Sequence, residues 1–152
     1  MVQNADLVKL NLGCGTDVRE GYVNMDHNPL PGVVLAASEF LPFKAHAFDE
    51  VYASHVLEHV ENFEWTMGEI WRVLCHEGRL VAVVPYGVHA NPYHRRFFDE
   101  RAVKAIVDPH SCLDAVLGWH LVGMRKNTRS VLLARLRGWV PNLTFVLEKE
   151  AP

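Results

Sequence analysis

Two glycines and a later aspartate are the residues of this chain whose types and spacing most directly suggest chemistry. An apolar run, Leu7–Leu12, leads into Gly13-Cys14-Gly15, and a second run, Tyr22–Met25, ends in Asp26. Glycine lets a backbone turn sharply and approach a ligand closely, because it carries no Cβ. A carboxylate at the end of the next strand can accept hydrogen bonds from both hydroxyls of a ribose. The pattern predicts a site for a nucleoside-type cofactor; the competing interpretation is a turn followed by an unrelated aspartate.

The composition is that of an ordinary globular domain. The chain has 152 residues, 49% of them hydrophobic, and a formal net charge of −3. This length predicts one domain, residues 1–152, and the negative charge disfavours nucleic acid as a partner, since phosphate binding needs a basic surface. We expect no signal peptide and no membrane span. The three cysteines form no paired motif, which favours reduced thiols in a cytoplasmic protein.

Short apolar runs separated by amphipathic segments indicate an α/β fold. The runs are nearly continuous, as in parallel strands covered on both faces, and they comprise Leu7–Leu12, Tyr22–Met25, Val33–Ala36, Phe48–Ala53, Leu80–Val84 and Leu143–Leu147.

The remaining segments predict three helices and one further strand, and they extend the last apolar run to Lys149. Apolar residues three and four apart predict a helix over about Glu61–His76, with Gly78 as its C′ residue. A second helix is predicted from Asp99 to Val107. The C-terminal part predicts a strand at Trp119–Val122, a short helix at Ser130–Arg137 and a last strand at Leu143–Lys149.

Three sequence blocks, taken in order, resemble the class I (Rossmann-like) S-adenosylmethionine-dependent methyltransferases. The first is Leu10–Gly15 with Asp26, the second is Leu41–Phe43 followed by Phe48–His59, and the third is Ile70–Leu80. The resemblance implies a Rossmann-like, doubly wound and mostly parallel sheet whose last strand is antiparallel. It also implies a methyltransferase that uses S-adenosylmethionine as its cofactor.

The resemblance further implies where that cofactor binds. The glycine motif would face the amino-acid part of the cofactor, Asp26 the ribose diol and the region of Leu41 the adenine. Ser54 and His55, at the end of the fourth strand, would pass close to the sulfonium. The cofactor-binding residues implied in this way are Asn11, Gly13, Cys14, Gly15, Asp26, Leu41, Ser54 and His55.

A loop after the fifth strand supplies the candidate catalytic residues. The segment Asn91–Phe98 resembles the family loop that lines the acceptor pocket. In it His94 is the candidate general base and Tyr93 a candidate acceptor contact; the alternative is a helix-entry loop whose aromatic residues pack inward. The expected acceptor is a small molecule or a sugar- or lipid-linked intermediate, methylated on oxygen. Methyl transfer from a sulfonium mainly requires that the two reactants be oriented.

The chain departs from the family in three places. Only Thr16–Gly21 separates the glycine motif from the second strand, whereas a parallel crossover needs a dozen or more residues, so the first crossover is predicted to be abbreviated. Ala36 or Ala37 stands where the family commonly has an acidic residue for adenine. Little sequence precedes the first strand, so the site is expected to be open or to borrow a lid from a homo-oligomer. These departures favour an alternative function, a degenerate binding module without turnover.

One metal-binding pattern competes with the methyltransferase interpretation. The segment His55–His59 reads H-x-x-E-H, the pattern of inverted zinc peptidases. It follows a strand directly, and no third ligand is evident nearby in the sequence. The methyltransferase resemblance accounts for the same residues without metal. We therefore predict no metal site and place a zinc hydrolase third among the functions.

Overall fold

A computed structural model describes residues 7–87, 91–108, 110, 118–127 and 141–151. Within these residues the chain forms β1 Lys9–Leu12, β2 Tyr22–Asp26, β3 Val34–Leu35, β4 Phe48–Ser54, α1 Phe63–Val73, β5 Leu74–Pro85, α2 Glu100–Ile106, β6 Trp119–Asn127 and β7 Asn142–Lys149. The predicted strands are therefore confirmed, and so is the second helix, with Asp99 as its N-cap. The helix predicted at Ser130–Arg137 and the third cysteine, Cys112, lie outside the described residues.

All strands belong to one sheet in the order β3-β2-β1-β4-β5-β7-β6. The neighbouring pairs from β3 to β5 are parallel, whereas β7 is antiparallel to both β5 and β6. The strand order reverses at β1, because the chain first continues to β2 and β3 on one side and then to β4 on the other. This arrangement confirms the predicted α/β class and the mostly parallel, Rossmann-like sheet with an antiparallel last strand.

The hydrophobic core lies against one face of the sheet. Leu10, Val51, Leu80 and Leu147 are direct neighbours across four strands and are fully buried. The adjacent register row, which runs through Tyr52 and faces the other way, is largely only partly buried. Both helices add their buried side chains to the same core: Phe63, Met67, Ile70, Val73, Val103 and Ile106. In the described part of the chain, the opposite face carries polar side chains such as Asn11 together with the partly buried Val81 and Val146.

A buried pair of asparagines holds the connection between β1 and β2, which contains no helix, as predicted. Nδ2 of Asn11 donates to Oδ1 of Asn24 at 2.8 Å and to the carbonyl oxygen of Asp17 at 2.7 Å. Oδ1 of Asn24 also accepts from the N–H of Arg19 at 2.9 Å. Nδ2 of Asn24 donates to the carbonyls of Arg19 and Tyr22 at 3.0 and 3.1 Å. The two amides thereby tie the loop back onto the sheet and satisfy its backbone polar groups.

Arg19 covers part of the sheet face beside this loop. Its guanidinium carbon lies 3.7 Å from the ring centroid of Tyr52, and the group forms an ion pair with Asp17 at 3.0 Å. The hydroxyl of Tyr22 donates to Oε1 of Glu50 at 2.6 Å on the same face. A cation over an aromatic ring stabilises by about 0.5–1 kcal/mol at an exposed site. Polar and aromatic groups thus occupy the place of a crossover helix.

Helix α1 ends earlier than the sequence predicts. Its C-cap is Leu74, whose backbone is already extended, and β5 begins at the same residue. The predicted end at His76, with Gly78 as the C′ residue, is therefore wrong. Gly78 lies inside β5, where an added Cβ would come within 2.8 Å of the carbonyl oxygen of Cys75. The glycine serves close backbone packing in the strand and not the end of the helix.

A buried lysine binds the backbone carbonyls at the point where α1 ends and β5 begins. Lys149, at the end of β7, is fully buried, and its Nζ donates to the carbonyls of Trp71 and Leu74 at 3.0 and 2.9 Å. The same nitrogen lies 3.7 Å from the ring centroid of Trp71. These contacts satisfy carbonyls that the end of a helix leaves unpaired. Burial lowers the pKa of Lys149, because desolvation disfavours its charged form.

Removal of either asparagine amide is expected to destabilise the fold, and the two effects should not add. Asn11→Ala takes the donor from the Asp17 carbonyl and should cost about 1–3 kcal/mol. Asn24→Ala should cost more, because it removes the bonds that its Oδ1 accepts and those that its Nδ2 donates. Since the two residues share one bond, equilibrium urea unfolding should give a coupling energy of about 0.5–3 kcal/mol in the double variant. Strictly additive losses would show that the amides act separately.

The wild-type protein should gain stability relative to Lys149→Met as the pH rises through the alkaline range. The folded-state pKa of Lys149 lies below the unfolded value, so between the two values the unfolded chain binds more protons at this site. The free energy of unfolding therefore rises with pH across this window, and the variant lacks that contribution. Urea unfolding of both proteins from about pH 7 to pH 10 measures the difference. A difference that does not change with pH would contradict the expectation.

Candidate functional site

A cleft of about 840 Å³ opens at the carboxyl ends of the parallel strands. Its walls come from the ends of β1 and β2, from the residues that follow β1, β2, β3 and β4, and from Pro92, Tyr93 and Arg95. The cleft therefore lies where the strand order reverses, which is where open α/β sheets bind ligands. Its volume is within the range of about 300–1,000 Å³ that small-molecule sites occupy.

A tight turn after β1 forms the floor of the cleft. Gly13 and Gly15 both have a left-handed backbone, with φ of 63° and 48°. A Cβ on Gly13 would come within 2.5 Å of Cγ2 of Val56, so the packing of the loop after β4 requires glycine here. Cys14, between them, is buried and does not line the cleft. Burial and the neighbouring Asp26 charge raise the pKa of the Cys14 thiol, which makes it a poor nucleophile.

Asp26 is a buried carboxylate that backbone groups hold in place. Its Oδ2 accepts from the N–H of Gly15 at 2.8 Å and its Oδ1 from the N–H of Asn28 at 2.8 Å. Burial raises the pKa of Asp26, but the two backbone donors and the nearby His27 outweigh this effect, and the pKa lies below its ordinary value. The carboxylate is thus ionised at neutral pH. It lines the cleft and retains acceptor capacity beyond those two bonds.

The loop after β4 places a buried carboxylate next to two histidines. His55 has a left-handed backbone, with φ of 57°, which is uncommon for a residue with a side chain. Its Nδ1 lies 3.2 Å from Oε1 of Glu58, and Nε2 of His59 lies 3.9 Å from the same oxygen. Glu58 is only 1% exposed, and its Oε2 has no hydrogen-bond partner within the described part of the chain. Local strain of this kind concentrates at functional sites.

The wall next to these histidines comes from the segment before α2. Tyr93 lines the cleft and is 78% exposed, while its carbonyl oxygen lies 3.1 Å from Nδ1 of His59. Arg95 also lines the cleft, and its N–H donates to the carbonyl of Glu58 at 2.8 Å. His94 does not line the cleft; its ring stands edge-on to His59 at a centroid distance of 4.9 Å. Of the two catalytic candidates, only Tyr93 therefore lines the cleft.

Half of the residues that the sequence implicates in cofactor binding line the cleft, namely Gly13, Gly15, Asp26 and His55. The other half are not among its lining residues, namely Asn11, Cys14, Leu41 and Ser54. Asn11 instead anchors the β1–β2 loop, as described above. The structure therefore brings together the turn, the acidic end of β2 and the start of the loop after β4.

Leu41 is buried and attached to helix α1. Its N–H donates to Oε2 of Glu69 at 2.9 Å, and its carbonyl accepts from Arg72 at 3.0 Å. Arg72 also donates to both oxygens of Glu69 at 2.6 and 2.9 Å, and this bonding holds the pKa of Glu69 below its usual value. Leu41 therefore anchors the segment that follows the cleft wall.

Sequence reasoning missed a second acidic residue at the cleft. Glu39 lines it together with Ala36, Ala37 and Ser38, the residues that follow β3. Its Oε2 accepts from the hydroxyl of Ser38 at 3.1 Å. Glu39 is the first acidic residue after this strand, which was the available signal. It lies three positions after Ala36 and two after Ala37, the positions at which the family resemblance places an acidic residue.

Residues 13–82 match a family model described as a methyltransferase domain. Comparison with curated protein sequences gives no match. None of the described helices is both long and apolar enough to cross a membrane.

Several solved structures share the fold at low sequence identity. A Burkholderia thailandensis 1,6-didemethyltoxoflavin-N1-methyltransferase, solved with 1,6-didemethyltoxoflavin and S-adenosylhomocysteine, is 17% identical with a TM-score of 0.70, over 95% of this chain and 72% of that one. The [4+2]-cyclase SpnF is 13% identical with a TM-score of 0.70, over 96% and 75% of the two chains. The YcgJ protein of Bacillus subtilis is 13% identical with a TM-score of 0.64, over 96% and 93%.

The matched domain and the observed strand order agree with the three sequence blocks that carried the resemblance. The chain is thus similar to a methyltransferase domain over residues 13–82 and has the fold of these solved structures.

Proposed function

We propose that this protein binds S-adenosylmethionine in the cleft and transfers its methyl group to an oxygen of a small-molecule or sugar- or lipid-linked acceptor. The observation that carries the proposal is Asp26, an ionised carboxylate fixed by two backbone N–H groups at the carboxyl end of β2. Such a group can accept hydrogen bonds from both hydroxyls of a ribose without reorganising. The match of residues 13–82 to a methyltransferase-domain model and the S-adenosylhomocysteine bound to the Burkholderia enzyme support this choice of cofactor.

The cofactor would lie across the ends of the strands. Its amino-acid part would contact the turn of Gly13 and Gly15, where the backbone can approach closely. Its ribose would contact Asp26, and its adenine would face the residues after β3, with Glu39 as the acceptor for the exocyclic amine. This orientation directs the sulfonium toward His55, which lines the other side of the cleft.

The acceptor would then lie between His55 and the residues 92–95. An oxygen acceptor must lose a proton, and an imidazole titrates near neutral pH. A histidine next to a carboxylate is the usual arrangement of a general base, and His55 lies 3.2 Å from Oε1 of Glu58. Tyr93 and Arg95 would position the acceptor. We therefore assign the role of base to His55 in place of His94.

A binding module without methyl transfer is the second candidate function. The β1–β2 loop has no helix whose N-terminal amides could hold the cofactor carboxylate. A protein described as a [4+2]-cyclase also shares this fold, and a fold does not by itself assign an activity. Formation of S-adenosylhomocysteine in the presence of acceptor panels would separate the two candidates, since the module would bind the cofactor without consuming it.

Calorimetric titration with S-adenosylmethionine and S-adenosylhomocysteine tests the proposal directly. At about a hundredfold the Kd, a ligand stabilises the native state by roughly 2.7 kcal/mol. The melting temperature should then rise by roughly 5–10 °C in a domain of this size. If neither compound gives a heat of binding and neither raises the melting temperature, cofactor binding is refuted.

Asp26→Ala should weaken cofactor binding by about tenfold or more, because hydrogen bonds to a charged group contribute about 1.5–3 kcal/mol each. Asp17→Ala is the matched control, since Asp17 lies in the same loop region but is exposed and does not line the cleft. The control should bind as the wild type does, and both variants should unfold cooperatively. Equal affinities of the wild type and Asp26→Ala would remove Asp26 from the ribose site.

His55→Gly should reduce methyl transfer while the unfolding free energy stays within about 1–2 kcal/mol of the wild type. Glycine removes the strain of a left-handed backbone, but it also removes the contact of Nδ1 with the buried Oε1 of Glu58 at 3.2 Å. Glu77→Gly is the control, because Glu77 has a similar φ of 61° but does not line the cleft. It should gain stability and keep its activity. Full activity of His55→Gly would show that the His55 side chain is not the base.

A further inference from the structure

A carboxylate and two imidazoles converge behind the acceptor wall of the cleft. Glu58, His59 and His94 each offer one ligand atom, a carboxylate oxygen or a ring nitrogen, and these atoms lie within 4.8 Å of one another. We propose that the three residues bind a divalent transition-metal cation such as zinc, with an open coordination position toward the cleft. A set of two imidazoles and one carboxylate is a common ligand set for such cations.

The charge of Glu58 is the first argument for a cation. The residue is 1% exposed, and burial of an ionised carboxylate without a partner costs several kcal/mol. Its ion pairs within the described residues are with His55 and His59, and neither involves an arginine or a lysine. Oε2 has no hydrogen-bond partner there. A cation beside this group would supply the missing compensation.

The orientation of His59 is the second argument. Its Nδ1 lies 3.1 Å from the carbonyl oxygen of Tyr93, which can only accept a hydrogen bond, so Nδ1 carries the proton. In the neutral imidazole Nε2 then has a free lone pair, and it points to Oε1 of Glu58 at 3.9 Å. Two acceptors that face each other repel, whereas a cation between them binds both. A backbone carbonyl on the other ring nitrogen is the usual partner of a histidine that ligates metal.

The distances between the three ligand atoms and the position of the site favour a single ion bound by all three residues. Zinc bonded at about 2.0–2.1 Å to tetrahedral ligands separates them by about 3.3–3.4 Å, so side-chain movements of about 1 Å would close the site. His94 stands edge-on to His59, so the two rings are not stacked. His59 also lines the cleft, which gives the ion access to a bound acceptor.

The proposal reverses the prediction of no metal site. In zinc peptidases such a pair of histidines lies on one face of a helix. In the structure, residues 56–59 form a turn before α1, and His55 points to Glu58. The third ligand, His94, comes from beyond β5, so its distance along the chain hid it from local spacing.

The role of the ion rests on the proposed function. A hydroxyl oxygen of the acceptor would coordinate the cation, which lowers the pKa of a bound hydroxyl. His55 would take the proton as the oxygen attacks the methyl carbon of the sulfonium. The C–O bond forms, the C–S bond breaks, and its electron pair stays on sulfur, which becomes the neutral thioether. The products are the methyl ether, S-adenosylhomocysteine and the proton on His55.

Zinc titration of metal-free protein tests the site without an activity assay. After treatment with a chelator, the full-length chain should bind one equivalent of zinc by calorimetry. Glu58→Gln, His59→Ala and His94→Ala should each reduce the zinc affinity at least about tenfold. Glu58→Gln keeps the shape of the side chain, so it gives a result even where a histidine variant fails to fold. Absence of stoichiometric zinc binding, or undiminished affinity in Glu58→Gln, would overturn the proposal.

His76→Ala is the matched control. His46 and His76 form another pair of adjacent rings, stacked at a centroid distance of 4.7 Å, and neither lines the cleft. The control should keep the zinc affinity of the wild type, and loss of binding in it would overturn the assignment.

The metal-site proposal and the methyl-transfer proposal can fail separately. Cofactor binding without zinc binding removes the metal site, whereas zinc binding without cofactor binding supports the site and refutes the methyl-transfer role.

Discussion

The buried amide pair of Asn11 and Asn24 is the contact on which the fold and the site both depend. Two parallel neighbours normally need a helical crossover, which also covers the sheet. Here residues 13–21 make the connection without a helix. The side-chain amides of Asn11 in β1 and Asn24 in β2 bind the backbone of this loop to both strands. The same loop presents the N–H of Gly15 to Asp26 at 2.8 Å. The position of the Asp26 carboxylate in the cleft is therefore a direct consequence of how this loop is held.

The hydrophobic core lies on one face of the sheet, and this determines how the walls of the cleft are held in place. Both described helices pack on the same hydrophobic cluster, so the cleft residues depend on hydrogen bonds from their own loops. Glu69 and Arg72 of α1 hold the backbone of Leu41 at the end of one wall. The carbonyl of Glu58 holds the N–H of Arg95 at the other. Such walls are stiff where the backbone is bonded and adaptable where side chains are exposed, as at Tyr93.

The sequence allowed the strand pattern and the centre of the site to be predicted for physical reasons that act locally. Glycines with left-handed backbones and an acidic residue at a strand end depend only on neighbours along the chain, so Gly13, Gly15 and Asp26 could be identified. Asn11 does not line the cleft; a polar residue in an apolar strand next to a glycine motif is equally compatible with a ligand contact and with a buried amide partner. The partner, Asn24, becomes visible only once the two strands are paired in register.

Other features depended on contacts that no local pattern records. Helix α1 passes directly into β5, and Lys149 from the far end of the chain satisfies the carbonyls at this corner, so Gly78 was mistaken for a helix end. His94 meets His59 only because the segment after β5 folds back over the loop after β4. Glu39 was overlooked because only the structure shows that the loop after the two-residue β3 brings a residue so far beyond the strand back to the cleft.

The two ends of the cleft carry side chains of different charge. The end of the cleft next to β2 and β3 carries the carboxylates of Asp26 and Glu39, whereas the end next to the loop after β4 carries His55, His59 and Arg95. An oxygen acceptor becomes more negative as it loses its proton, and positive or proton-accepting groups stabilise this change in a confined site. The sulfonium loses its positive charge in the same step. The proposed cofactor therefore changes from a sulfonium to a neutral thioether as the methyl group moves, and a cleft that carries the carboxylates of Asp26 and Glu39 would bind the sulfonium form more strongly.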